Sequence, residues 1–574
     1  MFQRQRAGKN FSCRNICDKC FRCERYFKMM YRYLRLFNTV KYLKPIQVYY
    51  RLYYFTRARW RKCSGFRYPL ALSSYSRELT LQPSIDSYVS RDEERFIFLN
   101  LSHRFEKGID WNYAAYGKLW TYNLTYFDFL HQPGMSREEG MGLIYDFIAQ
   151  EDSLKDGLEP FPISLRGINW IKFLALHKVR DQKIDESLYA QYAILMDNLE
   201  YHLLGNHLLE NGFSLLFGAS YFQDERLYTK AKEILTAELE EQILEDGAHF
   251  ELSPMYHEIM LFRTLDCINL VKHNQWIVDS GWLIEFLEEK AVKMLGWLNA
   301  ITYENGDIPL LNDSANGIAP TTEQLNDYAS RLQVGHPDTG SESGMTDSGS
   351  TDNRFRIKSG MTRLKKSWYR KYKNDRYECL IDVGHIGPDY IPGHAHADSF
   401  SFELRINGKP FIVDTGLSTY ETNARRMAER GTAAHNTVEV SQSNSSEVWG
   451  GFRVANRAYV TKLEESDDSV TATHDGYKNL GVMHTRSWRF EADKITIEDS
   501  LSTECRAVAR LHFHPDVTEA MIKKHITIHH SPSTIHYPPS PIHHYDYAPE
   551  FNKTQKALVM EIPFEEKLKV EITL

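Results

Sequence analysis

No stretch of this chain is apolar for the roughly 20 residues that a membrane-spanning helix needs. The basic N-terminus also lacks a short apolar core followed by a cleavage site, so no secretory leader is read there. Cysteine is scarce, with 8 in 574 residues, and four of them crowd at Cys13, Cys17, Cys20 and Cys23. The scattered remainder excludes a disulfide framework. The crowded four suit zinc or a cluster, yet no second Cys or His pair follows at zinc-finger distance. An alternative is that the chain starts at Met29 or Met30, beyond them. Acidic residues are nearly missing from 1–68, where 18 Lys and Arg face only Asp18 and Glu24. That stretch carries about +16 and leaves about −23 on the rest of a chain whose net charge is −7.

Aromatics are plentiful, with 34 Tyr, 30 Phe and 10 Trp. Rings stack on the C–H faces of sugars, but they also fill ordinary cores. In the basic stretch, Tyr31, Tyr33, Tyr42, Tyr49, Tyr50, Tyr53, Tyr54 and Trp60 interleave with Arg and Lys. Such a segment is either an amphipathic helical lead-in with a solvated basic face or a contact for nucleic acid, anionic lipid or anionic polysaccharide.

The length implies two or three folded units. From about residue 90 to 310 the apolar residues recur at three-and-four spacing, as in Glu138–Ala149, Glu186–Leu204, Leu227–Leu244 and Leu283–Leu298. Residues 338–352, rich in Ser, Gly, Thr and Asp, have too little apolar content to form a core. Beyond them the period becomes two, in runs such as Tyr377–Val383, Ser399–Ile406, Lys494–Asp499 and Val508–Phe513, with Asn407-Gly408 as a hairpin signal. Helices followed by strands, without alternation, predict segregated α+β domains. The expected division is a basic aromatic-rich extension at 1–85, a helical domain at 86–335, a linker at 336–353 and an antiparallel β domain at 354–574.

Three polar clusters carry the candidate chemistry. Gly205-Asn206-His207-Leu-Leu-Glu210-Asn211 precedes a small-residue helical segment and also reads as a capped helix start. Ser253-Pro254-Met-Tyr256-His257 predicts a helix with Pro at its first position, putting Tyr256 and His257 in the first turn, where Tyr256 either lines a cleft or packs. Gly393-His394-Ala-His396-Ala-Asp398, with Asp414 and His435-Asn436, predicts two histidines on one strand face and partners from neighbouring strands. Imidazoles with a carboxylate suit zinc; the alternative is a hydrogen-bonded polar cluster.

Together the three clusters resemble those of the heparinase II/III-like polysaccharide lyases, as do Ser164-Leu-Arg166-Gly-Ile-Asn169-Trp170 and Trp449-Gly-Gly-Phe-Arg453. The resemblance implies an incomplete (α/α) toroid followed by an antiparallel β-sheet or sandwich domain. It implies β-elimination on a uronic-acid-containing glycan, with glycosaminoglycan, alginate and bacterial exopolysaccharide all open. Asn206 and His207 match the pair that neutralises the uronate carboxylate. Tyr256 matches the tyrosine base, often also the acid, and His394 a second acid/base; Glu210, Arg166 and His257 would support them. His396, Asp414 and His435 match the ligands of a structural zinc, and no organic cofactor is expected. The expected partner is an anionic polysaccharide. No nucleic acid is expected, and the basic N-terminus suits a membrane surface or a polysaccharide-export system. The compartment implied is periplasmic or cell-envelope-associated. Two other classes compete: a non-catalytic glycan-binding or assembly protein on the same fold, and a glycoside hydrolase acting through Asp246 and Glu251.

Overall fold

In a computed structural model, residues 29–274, 280–335, 360–530 and 541–574 are described. The Cys13, Cys17, Cys20 and Cys23 cluster and the 336–353 linker lie outside them. The described chain has two main apolar cores, one helical and one built between β-sheets. No described helix is long and apolar enough to cross a membrane.

The helical part is an incomplete (α/α) toroid. Gly205–Phe222 is apolar nearly all round and is buried along almost its whole length, so it belongs to the inner layer. It packs against Pro160–Leu176, Glu225–Gln242 and Pro254–His273. Glu225–Gln242 buries a stripe, with Leu227, Ala231, Ile234, Leu235 and Leu239 inward, and turns its charges to solvent. One expectation fails at the start of this region. Residues 91–104 form a three-stranded sheet, Arg91–Asp92, Arg95–Phe98 and Leu101–Arg104, where the pattern predicts helix. Phe96 and Phe98 alternate inward, and Glu93 and Asn100 turn the chain at positive φ, a short-range period that a helical window averages away.

The β part holds three larger antiparallel sheets. One is a five-stranded meander, Gly360–Leu364 through Lys409–Ile412. The second has six strands, built around His484–Phe490, Lys494–Leu501 and Lys567–Thr573, and the third has four, built around Lys553–Phe564 and Ala507–His512. Asn407 and Gly408, both at positive φ, close the hairpin that the sequence marks. His394 and His396 do not sit on a strand; they occupy the loop between Tyr377–Asp382 and Phe402–Ile406.

The two parts are bolted together by polar contacts. Tyr369 donates its hydroxyl to the Leu252 carbonyl at 2.7 Å, Trp297 its indole N–H to Ser367 at 3.0 Å, and the Ser367 amide reaches Asp246 at 2.8 Å. The N-terminal segment lies along both. Gln47 is buried and donates to the Leu203 carbonyl at 2.9 Å, and Trp449 of the β part donates to Thr39 at 3.0 Å.

Candidate active site

Two helix starts aim at one place. The helix Gly205–Phe222 begins abruptly, with Leu204 and Gly205 both at positive φ, 64° and 59°. A Cβ on Gly205 would lie 2.6 Å from Ile391 Cδ1, so glycine alone fits. Asn206 and His207 thereby fall in the first turn. The helix Pro254–His273 starts with Ser253 as cap and Pro254 at its first position, as the sequence predicts, and Tyr256 falls in its first turn. The Ser253 hydroxyl also donates to the Asp313 carbonyl at 2.8 Å. Both helices present their partly positive ends, which favour an anion.

Asn206, His207, Tyr256 and His394 line a single cleft of about 950 Å³ between the two parts. The Tyr256 and His394 rings are 4.0 Å apart, centroid to centroid. Tyr420 donates its hydroxyl to the Tyr256 oxygen at 3.2 Å. The Asn206 side-chain amide makes no hydrogen bond among the described residues, so its donor is available to the cleft, while the Asn206 backbone N–H bonds to Glu251. His207, 35% exposed at its side chain, bonds through Nδ1 to Glu200 at 3.0 Å. Glu200 is itself held by the Asn211 amide at 3.0 Å.

Asp313 organises the opposite wall. Arg426 grips it with both guanidinium nitrogens, His394 Nδ1 meets Oδ2 at 2.8 Å, and His396 Nε2 meets Oδ1 at 2.7 Å. Burial alone would raise the Asp313 pKa, but Arg426 and the two histidines hold it well below the usual carboxylate range. An ionised carboxylate only accepts, so both rings donate to it. The neutral tautomer of His394 that donates from Nδ1 has a bare Nε2, the atom that stands 3.6 Å from Glu251. Burial is the largest influence on Tyr256 and pushes its phenol up; Asp313 and Glu251 add to that, while Tyr420 and Arg426 oppose it. Burial works against a charged His207, yet Glu200, with Glu251 and Glu210 behind it, holds its pKa above the ordinary value.

Of the supporting residues read from the sequence, Arg166 and His257 do not line the cleft. Arg166 is fully buried inside the toroid, where it braces the Thr125 carbonyl and Gln191 at 3.0 and 2.8 Å. His257 points away from the cleft: Nε2 meets the Met294 carbonyl at 3.0 Å and Nδ1 accepts from the His249 amide, with burial pushing its pKa down to about 3. A residue next to Tyr256 in a helix lies about 100° round the axis, and here that rotation turns His257 into the core. Glu210 sits one turn beyond Asn206, paired with Arg263 at 3.3 Å in a smaller cavity of about 300 Å³ that shares Asn206, Tyr256 and Tyr420 with the cleft.

Of the zinc ligands expected from the sequence, Asp414 already has partners. Asp414 is committed, one oxygen to His435 Nδ1 at 2.7 Å and the other to the Gly416 amide at 3.1 Å, so it stands behind His435. Among the described residues no three His, Cys, Asp or Glu side chains form a ready ligand group. Among the buried polar atoms without a partner are His396 Nδ1, His435 Nε2 and Asp398 Oδ2, with the His396 and His435 rings 5.3 Å apart, centroid to centroid. Two imidazole nitrogens and a carboxylate are a donor set that zinc takes, and Asp313 and Asp414 are the carboxylates that orient the two rings from behind.

Asp313, Arg426, Tyr420 and Glu200 were not anticipated. The one available signal was Asn312-Asp313-Ser314 interrupting the apolar run Ile308–Leu311. Arg426 lies in an unremarkable Arg-Arg pair, and nothing local distinguishes it.

A family model described as "Heparinase II/III N-terminus" matches residues 168–334, and one described as "Heparinase II/III-like, C-terminal" matches 356–556. A heparin-sulfate lyase of Bacteroides thetaiotaomicron is 23% identical over 323 residues, 51% of this chain and 43% of that protein. One from Bacteroides stercoris is 25% identical over 337 residues, 54% of this chain and 46% of that protein. The chain thus spans about half the length of the curated relatives it matches. Among solved structures, a heparinase III superposes with a TM-score of 0.62 at 18% identity, covering 82% of this chain and 80% of the other. A second heparinase III structure reaches 0.56 at 15% identity, covering 82% of each. At these identities the superpositions speak for the fold.

Proposed function

This chain belongs to the heparinase II/III-like family, and on that footing we propose that it is a polysaccharide lyase cleaving a uronic-acid-containing glycan by β-elimination. One observation carries the reading: two helix N-termini, an unengaged amide, a protonated phenol and a carboxylate-oriented imidazole meet in one cleft.

The C5 proton of a uronate becomes removable when its C6 carboxylate is neutralised. Asn206 and His207, at a helix start, are placed to hydrogen-bond that carboxylate and the negative charge that builds on it. The bare Nε2 of His394 then takes the C5 proton. The C5–H electrons form the C4=C5 bond, the C4–O4 bond breaks, and the departing oxygen takes the proton of Tyr256. Burial keeps that proton on Tyr256 in the resting site, which supports its role as the acid. Where the C5 proton lies on the tyrosine side, Tyr256 serves as base, with Tyr420 and Arg426 favouring its phenolate.

We also propose that His396 Nδ1 and His435 Nε2, with Asp398, hold a structural zinc in place of the set containing Asp414. The support is that these three buried atoms have no hydrogen-bond partner among the described residues, a lack that a bound cation would satisfy. Such an ion would brace the loop that carries His394, and no step of the reaction passes through it.

The test is a panel of heparan sulfate, hyaluronan, alginate and bacterial exopolysaccharides, followed by the ultraviolet absorbance of the unsaturated uronate. Absorbance that grows on at least one glycan, and not with Tyr256→Phe, is expected. Binding without any absorbance across the panel would replace the lyase with a glycan-binding protein.

A further inference from the structure

The basic N-terminal segment is part of the cleft. Leu36, Thr39, Val40, Leu43, Gln47 and Arg51 line it, opposite Trp449, Phe452 and Arg453 of the β part. This wall comes from the helical residues 29–40 and the helix Pro45–Ser64, which contain no acidic residue.

Guanidinium groups gather at this end. Arg453 lies over the Trp449 ring at 4.8 Å and Arg35 at 4.7 Å, and the Trp449 N–H is anchored to Thr39. Arg51 donates to the His202 carbonyl at 3.2 Å and lines the same cleft as Arg453; burial first, and then the Arg453 charge, work against its own. Neither Arg51 nor Arg453 has a carboxylate partner among the described residues. Glu447, just before the strand Val448–Trp449, spends its carboxylate on Tyr31 and Asn456. Two like charges held together in a cleft wall without a counterion repel each other, and a bound anion relieves that repulsion. A planar guanidinium matches the oxygen pair of a sulfate or carboxylate.

Resting on the reading of this cleft as the glycan site, we infer that Arg51 and Arg453 form an anion subsite for a second acidic group of the polymer, outside the uronate that is cut. The substrate class is then a glycan with repeated negative charge, and Trp449, fixed between Arg35 and Arg453, is the stacking face beside the subsite. The N-terminal segment supplies one half of the pair, so substrate recognition is shared between that segment and the β part.

Binding is measured by titration calorimetry with Tyr256→Phe as the non-cleaving parent, against a derivative that also carries Arg51→Gln and Arg453→Gln. The probes are heparan sulfate, desulfated heparan sulfate and hyaluronan oligosaccharides. The derivative should bind at least one probe roughly tenfold or more weakly, with a shallower dependence on salt. Arg51→Lys with Arg453→Lys should recover part of the loss. A loss confined to the sulfated probe assigns the subsite to sulfate, and an equal loss on all three assigns it to carboxylate. Affinity within about twofold of the parent, at an unchanged melting temperature, overturns the subsite, as does a parent that binds no probe. Should the subsite behave as expected while the wild-type chain produces no unsaturated uronate from any glycan, the lyase reading fails and the subsite stands.

Discussion

Tyr256 and phenylalanine differ by one hydroxyl, and here that hydroxyl is buried against Tyr420 beside the His394 ring. Tyr256→Phe should keep the ring in place and lower turnover by roughly 10² to 10⁴ while leaving glycan affinity nearly intact. A variant that keeps more than about a tenth of the rate, a change of about 1.36 kcal/mol, shows that another group moves the proton. His207 is a second test at this scale. Its pKa lies above the ordinary value, against burial, because of Glu200. A cationic His207 favours the substrate carboxylate, so activity that depends on it is full at low pH and falls as pH rises through that pKa. Glu200→Gln removes the raising charge and should move the alkaline limb of kcat/KM to lower pH. An unmoved limb would detach the charge on His207 from the rate.

Among elements, the loop 393–398 and the short helix Ala424–Glu429 are held to each other by Arg430, which donates to the Ala395 carbonyl, and by Asp313, which takes His394, His396 and Arg426 at once. Asp313→Asn leaves Arg426 buried without its anion. It should cost about 3–5 kcal/mol, seen as a lower denaturation midpoint, and it frees the His394 ring to adopt the other tautomer. A stability loss below about 1 kcal/mol, the level of an exposed ion pair, would mean that the network is redundant. The same loop carries the proposed zinc. Purified protein should hold about one zinc per chain, and a chelator should lower its melting temperature, but not that of His435→Ala. Equal melting with and without chelator, and no zinc by elemental analysis, would leave His396, Asp398 and His435 as a polar cluster only.

For the whole molecule, buried carboxylates set the acid limit of stability. Asp499 is pushed down to about 2: burial alone would raise it, but Arg486 and His484 outweigh that. Asp313 and Asp266 are also lowered, by Arg426 with two histidines and by Lys172 with Arg263. A group with a depressed folded pKa contributes stability that is present above its unfolded value, near 4, and lost as pH falls through the folded value. The melting temperature should therefore fall between roughly pH 5 and pH 2. Asp499→Asn should lower stability at neutral pH and flatten that part of the curve. An acid limb of unchanged steepness in the variant would assign it to other groups. The three carboxylates lie in different parts of the chain, one of them at the seam, so a scan near neutral pH should show a single transition spanning both parts.

What sequence determines here is whatever neighbours along the chain decide. The helix starts at Ser253-Pro254 and Gly205, the Asn407-Gly408 hairpin and the change of period after residue 353 follow from local backbone preferences. The Asn, His and Tyr clusters are legible there too, and it is their resemblance to the heparinase II/III-like lyases that implied β-elimination. The tertiary structure decided which of those residues face one another. Tyr256 reaches the cleft and His257 does not, because the toroid buries one side of their helix. Asp313 and Arg426, 113 residues apart, become the hub of the site only when two domains close on them. Asp414 becomes a partner of His435, leaving Asp398 with the bare oxygen. The basic N-terminal segment becomes a wall of the cleft through its contacts with Leu203 and Trp449. Burial and long-range pairing set pKa, tautomer and accessibility, and both are properties of the folded surroundings that no local spacing encodes.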